Sequence, residues 1–204
     1  VLSVSKFTRD EIINRLDRID TNHVKFLPNG VDTNRFFPSK VDDAFLQKYN
    51  IPVGSDIILT LARIIKRKAH DDVIKAIPDI LTEFPKAHYV IAGPHRKKDS
   101  YLHYLKQLTK ELSVEKHVTF IDFIPEEDLK KIYSASKVYV MASRTLHETG
   151  DSEGFGITFL EANACGCPVI GSYEGGIPDA VENEINGLLV PSDSPNEISK
   201  SIKK

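Results

Sequence analysis

Two short segments concentrate residue types that can do chemistry. The first is Glu153-Gly154-Phe155-Gly156-Ile157-Thr158-Phe159-Leu160-Glu161-Ala162. Glycines at a helix start let a backbone come close to a ligand, and the free N–H groups and dipole there favour a phosphate. A glycine pair alone is weak evidence, because an ordinary flexible helix entry has the same composition. The two carboxylates sharpen it. Glu153 and Glu161 are eight residues apart, which at helical rise is about 12 Å. That exceeds the roughly 5–9.5 Å between the paired carboxylates of a glycosidase. It suits one extended ligand held at both ends, such as a sugar at one glutamate and a ribose at the other. Glu161, among Leu160, Ala162 and Ala164, would be a costly buried charge without a partner.

The second segment is Leu61-Ala62-Arg63-Ile64-Ile65-Lys66-Arg67-Lys68. Its four cations directly follow an apolar run, and an arginine with a lysine is a common way to hold a pyrophosphate. A solvated basic turn is the plainer alternative, and it loses weight if a glycine loop faces the cations.

Placing these segments requires a scaffold. Short Val- and Ile-rich runs at residues 24–27, 56–61, 88–92, 117–121, 138–141, 168–170 and 187–190 read as strands. Between them, residues 71–82 put Val73, Ile74, Ile77, Ile80 and Leu81 on one helical face, and residues 101–112 repeat the pattern with Leu102, Leu105, Leu108 and Leu112. Residues 127–134 form a shorter helix. This alternation predicts an α/β fold with a parallel sheet covered by helices on both faces. Ligands of such sheets bind at the carboxyl ends of the strands, where both chemical segments fall. The first 40 residues look different. They carry a helix over 7–16 introduced by Ser5 and a turn at Leu27-Pro28-Asn29-Gly30, and read as an arm against the sheet domain at 41–204. The last residues, 199–204, read as a helix cut short.

Composition removes other classes. The chain has 204 residues, with 27 Lys plus Arg against 29 Asp plus Glu, a net charge of −2. That excludes a nucleic-acid binder working by bulk charge. At 41% apolar residues the chain can bury a core. Two cysteines, Cys165 and Cys167, cannot form a disulfide framework and are a weak metal signal, so a reduced, cytoplasmic setting is expected. No apolar run approaches the roughly 18 residues of a membrane span. The start at Val1 without Met predicts a piece of a longer protein, which intact mass or gene context would test.

Arg63…Lys68 before a helix, Ala92-Gly93-Pro94 after a strand, Ser143 before a loop, Glu153-Gly154-Phe155-Gly156…Glu161-Ala162, then Gly166-Cys167-Pro168-Val169-Ile170 and Gly175-Gly176-Ile177-Pro178-Asp179…Asn186-Gly187-Leu188-Leu189-Val190 together resemble the C-terminal half of a family 4 (group 1) glycosyltransferase of the GT-B fold. Val4-Ser5-Lys6-Phe7-Thr8, Pro28-Asn29-Gly30-Val31-Asp32 and Phe36…Pro38 resemble that family's interdomain passage, so the likeness spans nearly the whole chain.

The resemblance implies a Rossmann-like three-layer domain holding a nucleotide-sugar donor, UDP- or GDP-linked, with no cofactor or metal and with retention at the anomeric carbon. A saccharide or lipid-linked acceptor would be held by an N-terminal domain outside this chain, so the piece alone is expected to be inactive. Arg63 and Lys68 would neutralise the diphosphate and stabilise the leaving nucleotide, and Glu153 would contact the sugar hydroxyls. Gly154, Phe155 and Gly156 would offer backbone N–H groups, and Glu161 would hold the ribose. Gly93 and Ile121, Asp122 and Phe123 would lie near the base. Three positions depart from the pattern: Ala62 and Ala69 flank the cation pair where glycine is usual, and Asp122 stands where glycine is frequent. The implied setting is cytoplasmic and compatible with the inner face of a membrane. The base, sugar and acceptor are left open.

Other features carry less. His147-Glu148-Thr149-Gly150-Asp151 matches no known metal spacing and reads as a solvent-facing acidic loop bordering the sugar pocket. His70, His88, His95 and His117 read as structural or exposed. No G-x-G-x-x-G follows a first strand, which disfavours a nicotinamide dehydrogenase. The alternatives are another GT-B enzyme (a nucleotide-sugar 2-epimerase or a glucan phosphorylase) and a non-catalytic nucleotide-binding module. Against the last, polar groups stand at every expected contact.

Overall fold

A computed structural model describes residues 1–16, 20–95 and 100–204. Six strands build the main sheet: β3 (Asp56–Leu61), β4 (Ala87–Ala92), β5 (Val118–Ile121), β6 (Ser136–Met141), β7 (Val169–Ser172) and β8 (Leu188–Val190). All pair in parallel, in the order β5-β4-β3-β6-β7-β8. Side chains alternate along each strand between two cores. Ile57, Leu59, Val90, Tyr139 and Met141 face one, while Ile58, Tyr89, Ile91, Val138 and Val140 face the other. Both faces are therefore apolar, and helices must cover both. The second core is covered by α3 (His70–Leu81), α4 (Ser100–Glu111) and α8 (Pro195–Lys203). The first is covered by α2 (Asp43–Lys48), α5 (Glu126–Ala135), α6 (Ile157–Ala164) and α7 (Ile177–Ala180). This is the expected three-layer arrangement.

Strand order fixes where a ligand can enter. The chain leaves β3 toward β4 on one side, whereas β6 lies on its other side and leads away to β7. The loops after β3 and β6 therefore diverge and open a crevice at their carboxyl ends. The cation segment follows β3, and the loop ending in Glu153 and Gly156 follows β6.

Some expectations need correction. The apolar run at 24–27 does not join the main sheet. It forms β2 (Lys25–Phe26), which pairs only with β1 (Leu2–Ser3) in a separate two-stranded sheet. A two-residue pairing beside polar neighbours lacks the apolar faces that the main strands use. The last helix begins at Pro195, four residues before the expected 199, because Pro is favoured in a first turn. The Ser5 start is as expected: α1 (Lys6–Arg15) is capped by a reciprocal Ser5–Thr8 pair. Asp179 accepts a 2.6 Å bond from the Lys6 amide, tying the start of α1 to α7.

Candidate functional site

The site is built from the ends of β3, β6 and β7. After β3, residues Lys66–Lys68 make one 3-10 turn that closes on Ala69, a left-handed residue at φ 53°. The turn sends Arg67 and Lys68 inward and leaves Arg63 and Lys66 exposed. Ala69 pays the steric cost of a Cβ in that region, which glycine would not. The Arg63 carbonyl accepts a 3.1 Å bond from His70 Nε2. Burial drives His70 down to about 4, so the ring is neutral and fixes the backbone before the turn.

Glu153 enters from the other side of the crevice. Its Oε2 accepts from Lys68 Nζ and, at 2.8 Å, from Arg67. Lys68 Nζ also lies 3.1 Å from Met141 Sδ at the end of β6. Arg67 Nε stands 3.0 Å from Asp151 Oδ1. Burial alone would push the Glu153 carboxyl up, but Lys68 and then Arg67 more than reverse it and hold it below its usual range. Glu153 is thus a carboxylate at neutral pH. Burial is also the main influence on Lys68 and lowers it, against the opposing pull of Glu153. The ion pair is the arrangement that makes both buried charges tolerable.

The backbone after Glu153 is held by a neighbouring glycine pair. The Gly176 amide donates to the Glu153 carbonyl at 2.8 Å, and a Cβ at Gly176 would meet the Gly154 carbonyl oxygen at 2.0 Å. Only glycine permits that approach. Gly156, at φ 89°, then turns the chain into α6. The amides of Gly154, Phe155, Gly156 and Ile157 donate to no acceptor among the described residues. The Phe155 ring is buried in the core, so its amide is the part of the residue available to a ligand.

The helical separation of about 12 Å expected for the two glutamates does not apply. Glu153 lies four residues before α6, so helical rise does not measure its separation from Glu161. Glu161 sits on α6 with Oε2 accepting from Tyr133 Oη at 2.8 Å. Burial raises its carboxyl, opposed by Tyr133 and Arg35.

The remaining expected residues lie at the ends of β4 and β5, one and two strands from β3. The Gly93 amide donates to the Ile121 carbonyl at 2.9 Å, and a Cβ at Gly93 would fall 2.0 Å from the Ala62 oxygen. The strand end before Arg63 therefore packs directly on Gly93. Ile121 is buried, whereas Phe123 is 71% exposed and Asp122 is turned to solvent with His95 Nδ1 at 3.6 Å. Asp122 keeps a negative φ, so the residue standing in for glycine carries no strain there. Asp122 and Phe123 share no hydrogen bond or ion pair with the Lys68–Glu153 group.

Three contributors escaped the sequence reading. Arg67 was one of four cations with nothing to single it out, Tyr133 is remote in sequence from Glu161, and Gly176 acts through a backbone bond to Glu153 and close packing on Gly154, which no local pattern signals. A wide groove of about 760 Å³ lies elsewhere, lined by Val31, Leu160, Cys167, Ile185 and Leu188. Its walls are mainly apolar, so the chemistry rather than the concavity marks the site. The discounted cysteines are buried, with thiols pushed up to about 11 and about 12, chiefly by burial, and they are poor nucleophiles.

A doubly wound sheet whose switch-point crevice joins cations, a carboxylate and a helix amino terminus defines a Rossmann-like ligand-binding domain. Comparison with known proteins narrows this: residues 41–204 match the family described as glycosyl transferases group 1, and the chain belongs to it. It is 32% identical over 202 residues to a GDP-mannose-dependent α-(1-6)-phosphatidylinositol monomannoside mannosyltransferase of Mycobacterium tuberculosis, covering 99% of this chain and 51% of that protein. The chain thus spans about half the length of the curated relatives it matches. Among solved structures, Anabaena HepE in complex with UDP and glucose superposes with a TM-score of 0.85 at 23% identity, over 99% of this chain and 52% of that one. The C-terminal domain of the group 1 protein LpcC of Francisella tularensis gives 0.72 at 31% identity, over 85% and 86%. Among the described residues no helix is long and apolar enough to cross a membrane.

Proposed function

We propose that this chain is the donor-binding half of a retaining, metal-independent glycosyltransferase that moves a hexose from a nucleotide-diphosphate sugar to an acceptor hydroxyl. The observation that carries the reading is the meeting of Lys68 and Glu153 at the switch point, beside the unpaired amides of Gly154, Phe155 and Gly156. A diphosphate needs cations and N–H donors, and a hexose needs a hydroxyl acceptor. Both kinds of group stand within one crevice.

In this reading Arg63 and Lys68 neutralise the diphosphate and stabilise charge as the nucleotide leaves, in a partly dry site where such charges act strongly. The amides from Gly154 to Gly156 and the amino end of α6 add donors. Glu153, held as a carboxylate, accepts from sugar hydroxyls. Glu161 meets the ribose, and the base lies toward Gly93, Ile121, Asp122 and Phe123. The cations carry the electrostatic part, so the reading assigns no metal. An acceptor, saccharide or lipid-linked, would be held by a domain outside this chain. The relatives named for GDP-mannose make it the first donor to try, with UDP-sugars next.

The test is calorimetric titration of the chain with GDP, UDP, ADP and CMP. At least one diphosphate is expected to bind, with Lys68→Ala weakening it at least tenfold. Absence of binding by all four overturns the assignment.

A further inference from the structure

We infer that Arg67 is a positioning residue that keeps the Glu153 carboxylate in place when a donor diphosphate draws Lys68 away. The inference rests on the donor-binding reading above and adds a role to a residue which that reading leaves unused.

Lys68 has two demands on one ammonium group. It now bonds Glu153, and a diphosphate arriving in the crevice would compete for it with at least equal charge. A Glu153 held by Lys68 alone would then be left as a largely buried, uncompensated anion, free to reorient or take up a proton. Arg67 removes that problem. It bonds the same oxygen, Oε2, at 2.8 Å, while Oε1 has no partner among the described residues and remains open to a sugar hydroxyl.

Arg67 is also poorly placed to leave. Its side chain is only 7% exposed, and its Nε lies 3.0 Å from Asp151, so the guanidinium spans two carboxylates. Its carbonyl accepts from the Arg144 amide at 2.9 Å, and Arg144 is anchored by Asp71 and Asp72 at 2.9 and 2.6 Å. The bond to Glu153 and the Asp151 ion pair, in which Nε makes no hydrogen bond among the described residues, hold the guanidinium in place, and its planar shape carries direction that a lysine ammonium lacks. Adjacent positions in one 3-10 turn thus receive separate tasks: Lys68 serves the diphosphate and Arg67 serves Glu153.

Glu153 is faced by Lys68 and Arg67 from the turn after β3, by Asp151 across Arg67, and by Tyr139 of β6, while the charge of Arg63 acts on Lys68. Removing Arg67 takes away one of the two cations that hold it ionised, so the acidic limb of the rate profile moves to higher pH.

The experiment compares Arg67→Gln, Arg67→Lys, Lys68→Ala and Glu153→Gln in the full-length protein. It measures kcat and donor KM across pH, and binding of GDP or UDP, whichever the wild type binds more tightly. Arg67→Gln is expected to lower kcat about tenfold to hundredfold, the scale of a misplaced reacting group. Its nucleotide affinity stays within about threefold, its acidic limb rises, and Arg67→Lys recovers part of kcat. Unchanged kcat and pH limb overturn the inference, as does a loss of nucleotide affinity matching the loss of kcat, which would make Arg67 a diphosphate ligand. If thermal melting shows Arg67→Gln unfolded, Arg67→Lys decides: lowered kcat with retained affinity supports the inference, and wild-type kcat overturns it. If Lys68→Ala and Glu153→Gln also leave turnover intact, the donor-binding reading itself has failed.

Discussion

Glu153 and Glu161 bracket one short stretch of chain, yet their surroundings drive them in opposite directions. Glu153 lies in a loop clamped by two cations and is held below the usual carboxylate range. Glu161 lies on α6, receives one tyrosine hydroxyl and is raised, chiefly by burial. A cation-bound carboxylate keeps its charge and direction through a reaction. A carboxylate bonded to a neutral hydroxyl is held more loosely and can exchange that partner for a ribose. The contrast fits the proposed reading, in which Glu153 stands at the reacting end of the crevice and Glu161 at the nucleotide-holding end.

The largest effect is expected at the clamped end. Glu153→Gln removes the charge that compensates Lys68 and Arg67. It should cost about 3 kcal/mol of stability, the low end of the range for breaking a buried pair because water reaches one side. Turnover should fall by about 10²–10³, the scale of losing one electrostatic contact to a transition state. Urea unfolding and steady-state kinetics check both. Wild-type values for the two measurements would dissolve the contrast.

Acidity separates the two residues more finely. The lowered Glu153 contributes stability at pH above its unfolded value near 4.5, and that contribution is lost as pH falls through its folded value. Glu161 has the reverse sign: its raised value is a penalty at neutral pH that fades as pH falls through its folded value. Glu161→Gln is therefore expected to be more stable than the wild type at pH 7, with the gain shrinking on acidification. Glu153→Gln is less stable at pH 7, with its deficit shrinking as the pH drops. Denaturant midpoints at pH 7, 5 and 4 distinguish these signs. A destabilised Glu161→Gln at pH 7 would show that the Tyr133 bond outweighs burial.

The smallest effect concerns the turn that sorts the cations. Ala69 is the residue after Lys68 and occupies the left-handed region at φ 53°. Ala69→Gly should relieve about 1 kcal/mol of that strain and raise the melting temperature by a few degrees. A lowered melting temperature would mean that the buried Ala69 methyl matters more than its backbone.

The layers were legible because continuous Val and Ile runs and 3.6-residue periodicity report on one segment at a time. That both chemical segments fall at the carboxyl ends of strands was legible for a related reason, whereas the strand order that brings the segments after β3 and β6 together is not reported by any local run. What stayed hidden depended on contacts between loops. Arg63, Lys66, Arg67 and Lys68 are alike on paper, and only the 3-10 turn closing at Ala69 decides which pair turns inward. Glu153 fitted a helical count because α6 follows closely, but Gly156 delays the helix start. Tyr133 reaches Glu161 from another helix, a pairing that no local pattern signals.

The central claim is that the turn after β3 and the amides before α6 hold one diphosphate between them. A crystal structure of the protein with GDP or UDP bound tests it most directly. The account predicts phosphate oxygens within hydrogen-bonding distance of Lys68 Nζ and of the Gly154 or Gly156 amide, with Glu153 still bonded to Arg67. A diphosphate bound elsewhere, or one that leaves the Lys68–Glu153 pair intact, would contradict it.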